Sequence, residues 1–142
     1  MALDHSCQVQ RHPLSERGHD LYETPDVAVE ALLRVERLPR YIWEPCCGPG
    51  RIVNVLRAAG HTVIGSDLVD YGDPTHHYGR DFLLEQRAPD GCEAIVTNPP
   101  FKLAEQFVAK ALELCPLVAM LLRTAFLESE RRTAIAHQHV RG

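Results

Sequence analysis

No stretch of the 142-residue sequence approaches the roughly 18 uninterrupted apolar residues that a membrane-spanning helix needs, and the first 20 residues lack the apolar run of a secretory signal. A chain with neither feature is expected in the cytoplasm. The five cysteines, Cys7, Cys46, Cys47, Cys92 and Cys115, are scattered, odd in number and form no CxxC pair. This argues against a disulfide framework and a zinc knuckle and leaves reduced thiols as the simplest reading, with no metal expected. An excess of positive charge is missing too. Against 15 Lys and Arg stand 19 Asp and Glu, for a net charge of −4, whereas a free-standing nucleic-acid binder ordinarily shows a basic balance or a basic face. Composition therefore argues against tight nucleic-acid binding by this segment alone. Arginines gather at Arg11 and Arg17, at Arg34, Arg37 and Arg40, and at Arg131 and Arg132; a solvated surface explains them more simply than a positive face, which stays open as the alternative. Internal repeats and low-complexity tracts are also lacking.

What is present is ordinary for a soluble globular domain: 45% hydrophobic and 24% charged residues. The length supports one hydrophobic core and not two. Residues 1–20 are polar, carry three histidines and show no apolar period, so they are expected to form a flexible N-terminal arm, with the folded domain spanning 21–142.

Thr24 followed by Pro25 reads as a helix start, the hydroxyl capping free amides and the proline tolerated at the first helical position. Val27, Ala28, Ala31, Leu32 and Val35 then share one helical face, in a helix that has ended by Pro39. Short apolar runs and amphipathic stretches alternate from there: strands at Tyr41–Trp43, His61–Ser66, Ala94–Thr97 and Leu117–Leu122, helices at Ile52–Ala59 and Lys102–Leu114. Strands separated by helices of this length predict βαβ units, hence an α/β class with a mostly parallel central sheet covered by helices on both faces.

The first strand runs into Glu44-Pro45-Cys46-Cys47-Gly48-Pro49-Gly50, and a helix begins near Arg51. Two glycines let the backbone turn tightly and approach a ligand, and the helix N-terminus directs its free amides there, so a nucleotide-type cofactor is expected. A dinucleotide fold wants a third glycine three residues after the second, a position held by Val53; NAD is disfavoured. Asp67 ends the second strand 17 residues after Gly50, near the spacing at which an acid meets ribose hydroxyls in such folds. Asn98-Pro99-Pro100-Phe101 follows the apolar run Ala94–Thr97 at a strand's carboxyl end, where open α/β sheets bind ligands. Two successive prolines keep the backbone out of helix and ladder, so the asparagine and the aromatic ring are presented rigidly.

At these residues the sequence resembles the amino-group methyltransferases that act on DNA, over roughly Tyr22 to Ser129. The resemblance implies a class I, Rossmann-like fold and S-adenosyl-L-methionine as cofactor. By it, Tyr22, Thr24 and Pro25 are similar to the segment at the methionine end of the cofactor, and Glu44, Pro45, Cys46, Gly48 and Gly50 to the ExxxGxG loop. Asp67, with Leu68 beside it, would hold the ribose; Asp81 would meet the adenine amino group and Phe82 pack on its ring. Asn98, Pro99, Pro100 and Phe101 resemble the catalytic signature, and their order after the cofactor loop suits methylation of adenine N6 in DNA. Relatives with the same signature modify guanine N2 in ribosomal RNA or a protein glutamine, and an inactive cofactor-binding subunit is a further alternative.

An exocyclic amine is a poor nucleophile because its lone pair is delocalised into the ring. The side-chain carbonyl of Asn98 and the backbone carbonyl of Pro99 can each accept one of its hydrogens, favouring a pyramidal nitrogen and stabilising the positive charge that develops. The target base would have to be flipped from a duplex, with Phe101 as a stacking surface. The resemblance also implies seven strands, whereas the sequence reading counts five, of which four are bounded above, and finds no strand pattern in Arg131–Gly142, so the final β-hairpin is expected to be missing. With no visible target-recognition region, a homodimer or partner subunit is expected to supply that surface. His76-His77 is the only adjacent histidine pair, and with no ligand at a convincing spacing it reads as a solvated loop. Cys46 and Cys47 read as small loop packing.

Overall fold

The computed structural model describes residues 24–122. The expected arm, Tyr22 and the segment Arg131–Gly142 lie outside the described residues. Helix α1 spans Asp26–Val35, β1 Tyr41–Glu44, α2 Arg51–Ala58, β2 Thr62–Gly65, β3 Ala94–Thr97, α3 Ala104–Leu114 and β4 Leu117–Met120, with single 3-10 turns at Phe82–Leu84 and Phe101–Leu103. The four strands form one sheet in the order β2-β1-β3-β4, every neighbouring pair parallel.

Side-chain alternation along the strands explains the two-faced core. Ile42, Val63, Ala94 and Val96 point to one face and pack with Val29 of α1 and with Ile52, Val53 and Leu56 of α2. Trp43, Ile95 and Val118 point to the other and pack with Phe82 and with Phe107, Val108 and Ala111 of α3. The sheet is thus covered by helices on both faces, as βαβ connections dictate.

Several local expectations are corrected. Asp26 opens α1 with Pro25, not Thr24, at the N-cap and no side-chain cap bond, so proline stands one position earlier than expected; Thr24 is buried before it. The inward stripe of α1 runs through Val29 with Leu32 and Leu33 packed beside it, while Val27 and Val35 are 68% and 76% exposed. The apolar positions permit more than one stripe, and contact with α2 selects the one that reaches the sheet. Lys102 lies in a 3-10 turn, closed by the Leu103 amide donating to Pro100 O at 3.0 Å, and the α-helix begins only at Ala104, because Leu103 at φ −110° and ψ 12° is not helical.

Four strands, not five, are found among the described residues. Outside β2, one parallel bridge joins Ser66 to His77, with the His77 amide donating to Gly65 O at 2.9 Å and the Asp67 amide to His77 O at 3.0 Å. This single pairing covers the end of an edge strand whose polar backbone would otherwise face solvent. Among the described residues no helix is long and apolar enough to cross a membrane.

Candidate active site

The chain leaves β1 toward β2 on one side and returns to β3 and β4 on the other, so β1 and β3 flank the point where strand order reverses. Open α/β sheets bind ligands outside the carboxyl ends of such a pair. The loop Pro45–Gly50 leaves β1 there, and Asn98–Phe101 leaves β3 beside it.

The loop is held from three directions. Its two glycines adopt φ +52° at Gly48 and +101° at Gly50, left-handed values that residues with a Cβ rarely take. The Gly48 amide donates to Asp67 Oδ2 at 2.8 Å, and the Cys47 amide donates to Ser66 O at 2.9 Å, fastening the loop to the end of β2. The Cys46 amide donates to Glu44 Oε1 at 2.8 Å. Glu44 is itself buried and accepts the Thr97 hydroxyl on the same oxygen. Burial pushes the Glu44 carboxyl up to about 8, the neighbouring Asp67 adding to the rise while the Thr97 and Cys46 bonds oppose it. At neutral pH Glu44 is therefore mainly the uncharged acid.

Beneath the loop sits a residue that sequence reasoning missed. His76 reads from the sequence as part of a solvated loop, but its side chain is wholly buried, and only His77 is exposed. A methyl group on Gly50 would lie 2.9 Å from His76 Cε1, and one on Gly65 2.8 Å from its Cδ2. The imidazole thus occupies the space that two glycines leave. Its Nδ1 lies 3.5 Å from the Cys47 sulfur and 3.4 Å from the Tyr78 hydroxyl, while the buried Nε2 has no hydrogen-bond partner among the described residues; the Asp73 carboxylate stands 3.7 Å from it. Burial holds the imidazole below the usual histidine range, against the opposing pull of Asp73. A glycine inside a strand signals close approach of another group, and Gly65 was the available clue.

The other sequence-selected residues gather around a small crevice. Pro45, Cys46, Asp67, Leu68, Asp81, Phe82 and Pro100 line a space of about 30 Å³, room for roughly one water and far below the roughly 300–1,000 Å³ of a ligand pocket. A cofactor would have to part these walls. Asp67 is buried and also accepts the Val69 amide at 3.1 Å. Asp81 Oδ1 accepts the Leu83 amide at 3.0 Å and caps the 3-10 turn. Phe82 is buried, its ring edge-to-face on Trp43 at 5.2 Å and 4.9 Å from Phe107. Pro99 is buried, whereas Asn98 and Phe101 are half-buried. A larger cleft of about 560 Å³ lies on the α3 face beside β2, over Trp43, Ile64 and Ser66. Arg80, which grips Glu85 through Nε at 2.8 Å and Nη2 at 2.9 Å, lines both spaces. The described cysteines are free thiols, and among the described residues no group of three or more His, Cys, Asp or Glu is placed to hold a metal ion.

No protein-family profile and no curated protein matches the sequence. Solved structures do match in shape. The 1,6-didemethyltoxoflavin-N1-methyltransferase of Burkholderia thailandensis, solved with 1,6-didemethyltoxoflavin and S-adenosylhomocysteine, superposes with a TM-score of 0.55 at 14% identity, over 85% of this chain and 61% of its own. A TehB-like SAM-dependent methyltransferase of Corynebacterium glutamicum gives 0.52 at 19% identity, over 95% and 82%. The plantazolicin methyltransferase BpumL, in complex with a pentazolic desmethylPZN analogue and SAH, gives 0.53 at 14% identity, over 87% and 61%. The fold is therefore that of the class I, Rossmann-like methyltransferases. The chain spans about 61% of the length of the first and third of these enzymes.

Proposed function

We propose that this chain binds S-adenosyl-L-methionine at the glycine-rich loop and transfers its methyl group to an exocyclic amino nitrogen, with adenine N6 in DNA as the acceptor. One observation carries the reading: Asn98-Pro99-Pro100-Phe101 leaves β3 at the point of strand reversal, and Pro100 shares the crevice wall with Asp67 and Cys46. Solved neighbours of the same fold carry S-adenosylhomocysteine.

The lining suits such a cofactor in kind. Asp67 can accept hydrogen bonds from vicinal hydroxyls, Leu68, Phe82 and Pro100 offer apolar walls to a planar ring, and Asp81, on the same crevice, can accept a hydrogen bond from an amino group. When bound, S-adenosylmethionine supplies an electrophilic methyl group. The Asn98 side-chain carbonyl and the Pro99 backbone carbonyl draw on the two hydrogens of the acceptor amine and stabilise its developing positive charge. Phe101 stacks on the presented base, offsetting part of the few kcal/mol that flipping requires, since such stacking is worth about 1–3 kcal/mol. The net charge of −4 supports a reading in which duplex recognition comes from a further surface, that of a second copy or a partner subunit.

The test is Asn98→Ala. Affinity for S-adenosylhomocysteine, read by calorimetry, is expected to change little, while transfer of labelled methyl to adenine-containing DNA falls about 10²–10³-fold, the scale set by losing one preorganised transition-state partner. Joint loss of binding and transfer would overturn the role given to Asn98. Label appearing in ribosomal RNA or in a glutamine peptide, but not in DNA, would move the acceptor. No label transferred to any of the three by wild type that binds the cofactor would leave a binding subunit.

A further inference from the structure

Thr97 is the last residue of β3 and the neighbour of Asn98, and it is completely buried. Its hydroxyl donates to Glu44 Oε1 at the end of β1, the oxygen that also accepts the Cys46 amide at 2.8 Å. One carboxyl oxygen thus gathers a donor from the cofactor loop and a donor from the strand that delivers Asn98. Position and topology give this junction its consequence. The paired residues of β1 and β3 are Ile42 with Ala94 and Trp43 with Ile95, so Glu44, Val96 and Thr97 run beyond that ladder toward the crevice. At that end of the ladder the side-chain bond adds a further link between the two strands. A valine would fill the same buried volume without a hydroxyl that must be satisfied, so the polar atom needs a reason, and the bond to Glu44 supplies it. The ionisable groups acting with Glu44 are the Asp67 carboxylate and the Cys47 thiol; neither replaces Thr97 as a donor to it.

We propose that Thr97 is a positioning residue: through Glu44 it locks the strand end bearing Asn98 to the loop Pro45–Gly50, so that the acceptor side and the donor side of the site are held as one unit. The inference rests on the reading of the crevice as a methyl-transfer site. The junction ties the geometry of transfer to the geometry of cofactor binding, and a small displacement between them lowers the rate without lowering affinity.

Thr97→Val removes the hydroxyl at similar volume and Thr97→Ser retains it. Amide hydrogen exchange of the free protein is followed by NMR at Cys46, with Ile52–Leu56 of α2 as the reference, alongside S-adenosylhomocysteine calorimetry and methyl transfer per cofactor-binding site. In Thr97→Val the Cys46 amide is expected to exchange about ten-fold faster while α2 keeps its rates. The turnover number falls about 10–100-fold at a cofactor KM close to wild type, and Thr97→Ser restores both. A merely structural role would speed exchange throughout and would show no split between turnover and KM. Should Thr97→Val fail to fold, Thr97→Ala, which also removes the hydroxyl and leaves Glu44 in place, must release the Cys46 amide in the same way. An unmoved Cys46 amide, or no rescue by serine, overturns the proposal while leaving the site reading intact. No uptake of S-adenosylhomocysteine by the wild type removes the site reading and this proposal with it.

Discussion

Replacing Glu44 by glutamine tests the electrostatics of the site through folding alone. Glu44 is 1% exposed, and burial pushes its carboxyl from 4.5 up to about 8. The folded chain therefore keeps a proton that the unfolded chain releases across that interval. Because the unfolded state binds fewer protons there, stability falls as pH rises from about 4.5 toward about 8, by about 1.4 kcal/mol per pH unit. Above that window the loss is complete, and below it this group contributes no slope. The substituted amide would carry no proton to lose, yet its carbonyl could accept the bonds now donated by Cys46 and Thr97. Urea unfolding of wild type and Glu44→Gln between about pH 5.5 and about pH 7.5 should thus show their stability difference moving in favour of the variant by about 2–3 kcal/mol. Other titrating groups, His76 among them, are common to both chains and cancel in the difference. A difference that stays constant within about 0.5 kcal/mol, or moves the opposite way, would show that Glu44 is ionised in the folded protein and would refute the account of a neutral acid at the strand junction.

Three further outcomes are expected. Gly65→Ala places a methyl 2.8 Å from the His76 ring and should destabilise by about 1–3 kcal/mol, whereas in a His76→Ala background the same change should cost far less; urea midpoints of the four proteins in this cycle measure the coupling, and additivity would remove His76 from beneath the loop. Gly50→Ala adds a left-handed backbone to the same collision, at φ +101°, and should lower stability by about 1–3 kcal/mol, with weaker S-adenosylhomocysteine binding by calorimetry. Burial drives the Cys47 thiol far above the usual range, so in the native protein iodoacetamide should modify half-buried Cys46 and leave Cys47 untouched, as peptide mass spectrometry would show.

The elements could be read from the sequence because their signals are local. Ala94–Thr97 is bounded correctly, since four residues suited to a buried strand end where two prolines forbid continuation. Class and layering follow from alternation of strands and helices. The orientation of α1 does not, because Val27, Val29 and Val35 are equally apolar and only the position of α2 decides which reaches the core. At the site, the two loops at β1 and β3 are legible from their glycines and prolines, whereas Thr97 and His76 are not. Thr97 reads as one more β-branched strand residue until Glu44 is placed opposite it. His76 reads as loop until the absence of side chains at Gly50 and Gly65 is seen from the same side. Contacts between residues far apart in the chain decide these roles, and no period or spacing encodes them.

The buried polar groups at the strand reversal point in one direction. Glu44, Asp67 and Thr97 are each at most 2% exposed, at positions that apolar side chains could fill without desolvating an acid. For folding alone this is a poor choice: Glu44 is so costly to ionise that it holds a proton near neutrality, and His76 keeps a ring nitrogen buried without a hydrogen-bond partner among the described residues. Sequences break local stability rules mostly where a site requires it. Here the departures converge on one place, the ends of β1, β2 and β3, and Glu44 and Asp67 each bond to the glycine loop, Glu44 also to the residue before Asn98. A core optimised only for stability would have no reason to fasten those two segments to each other, whereas a reaction that must hold a donor and an acceptor in register does.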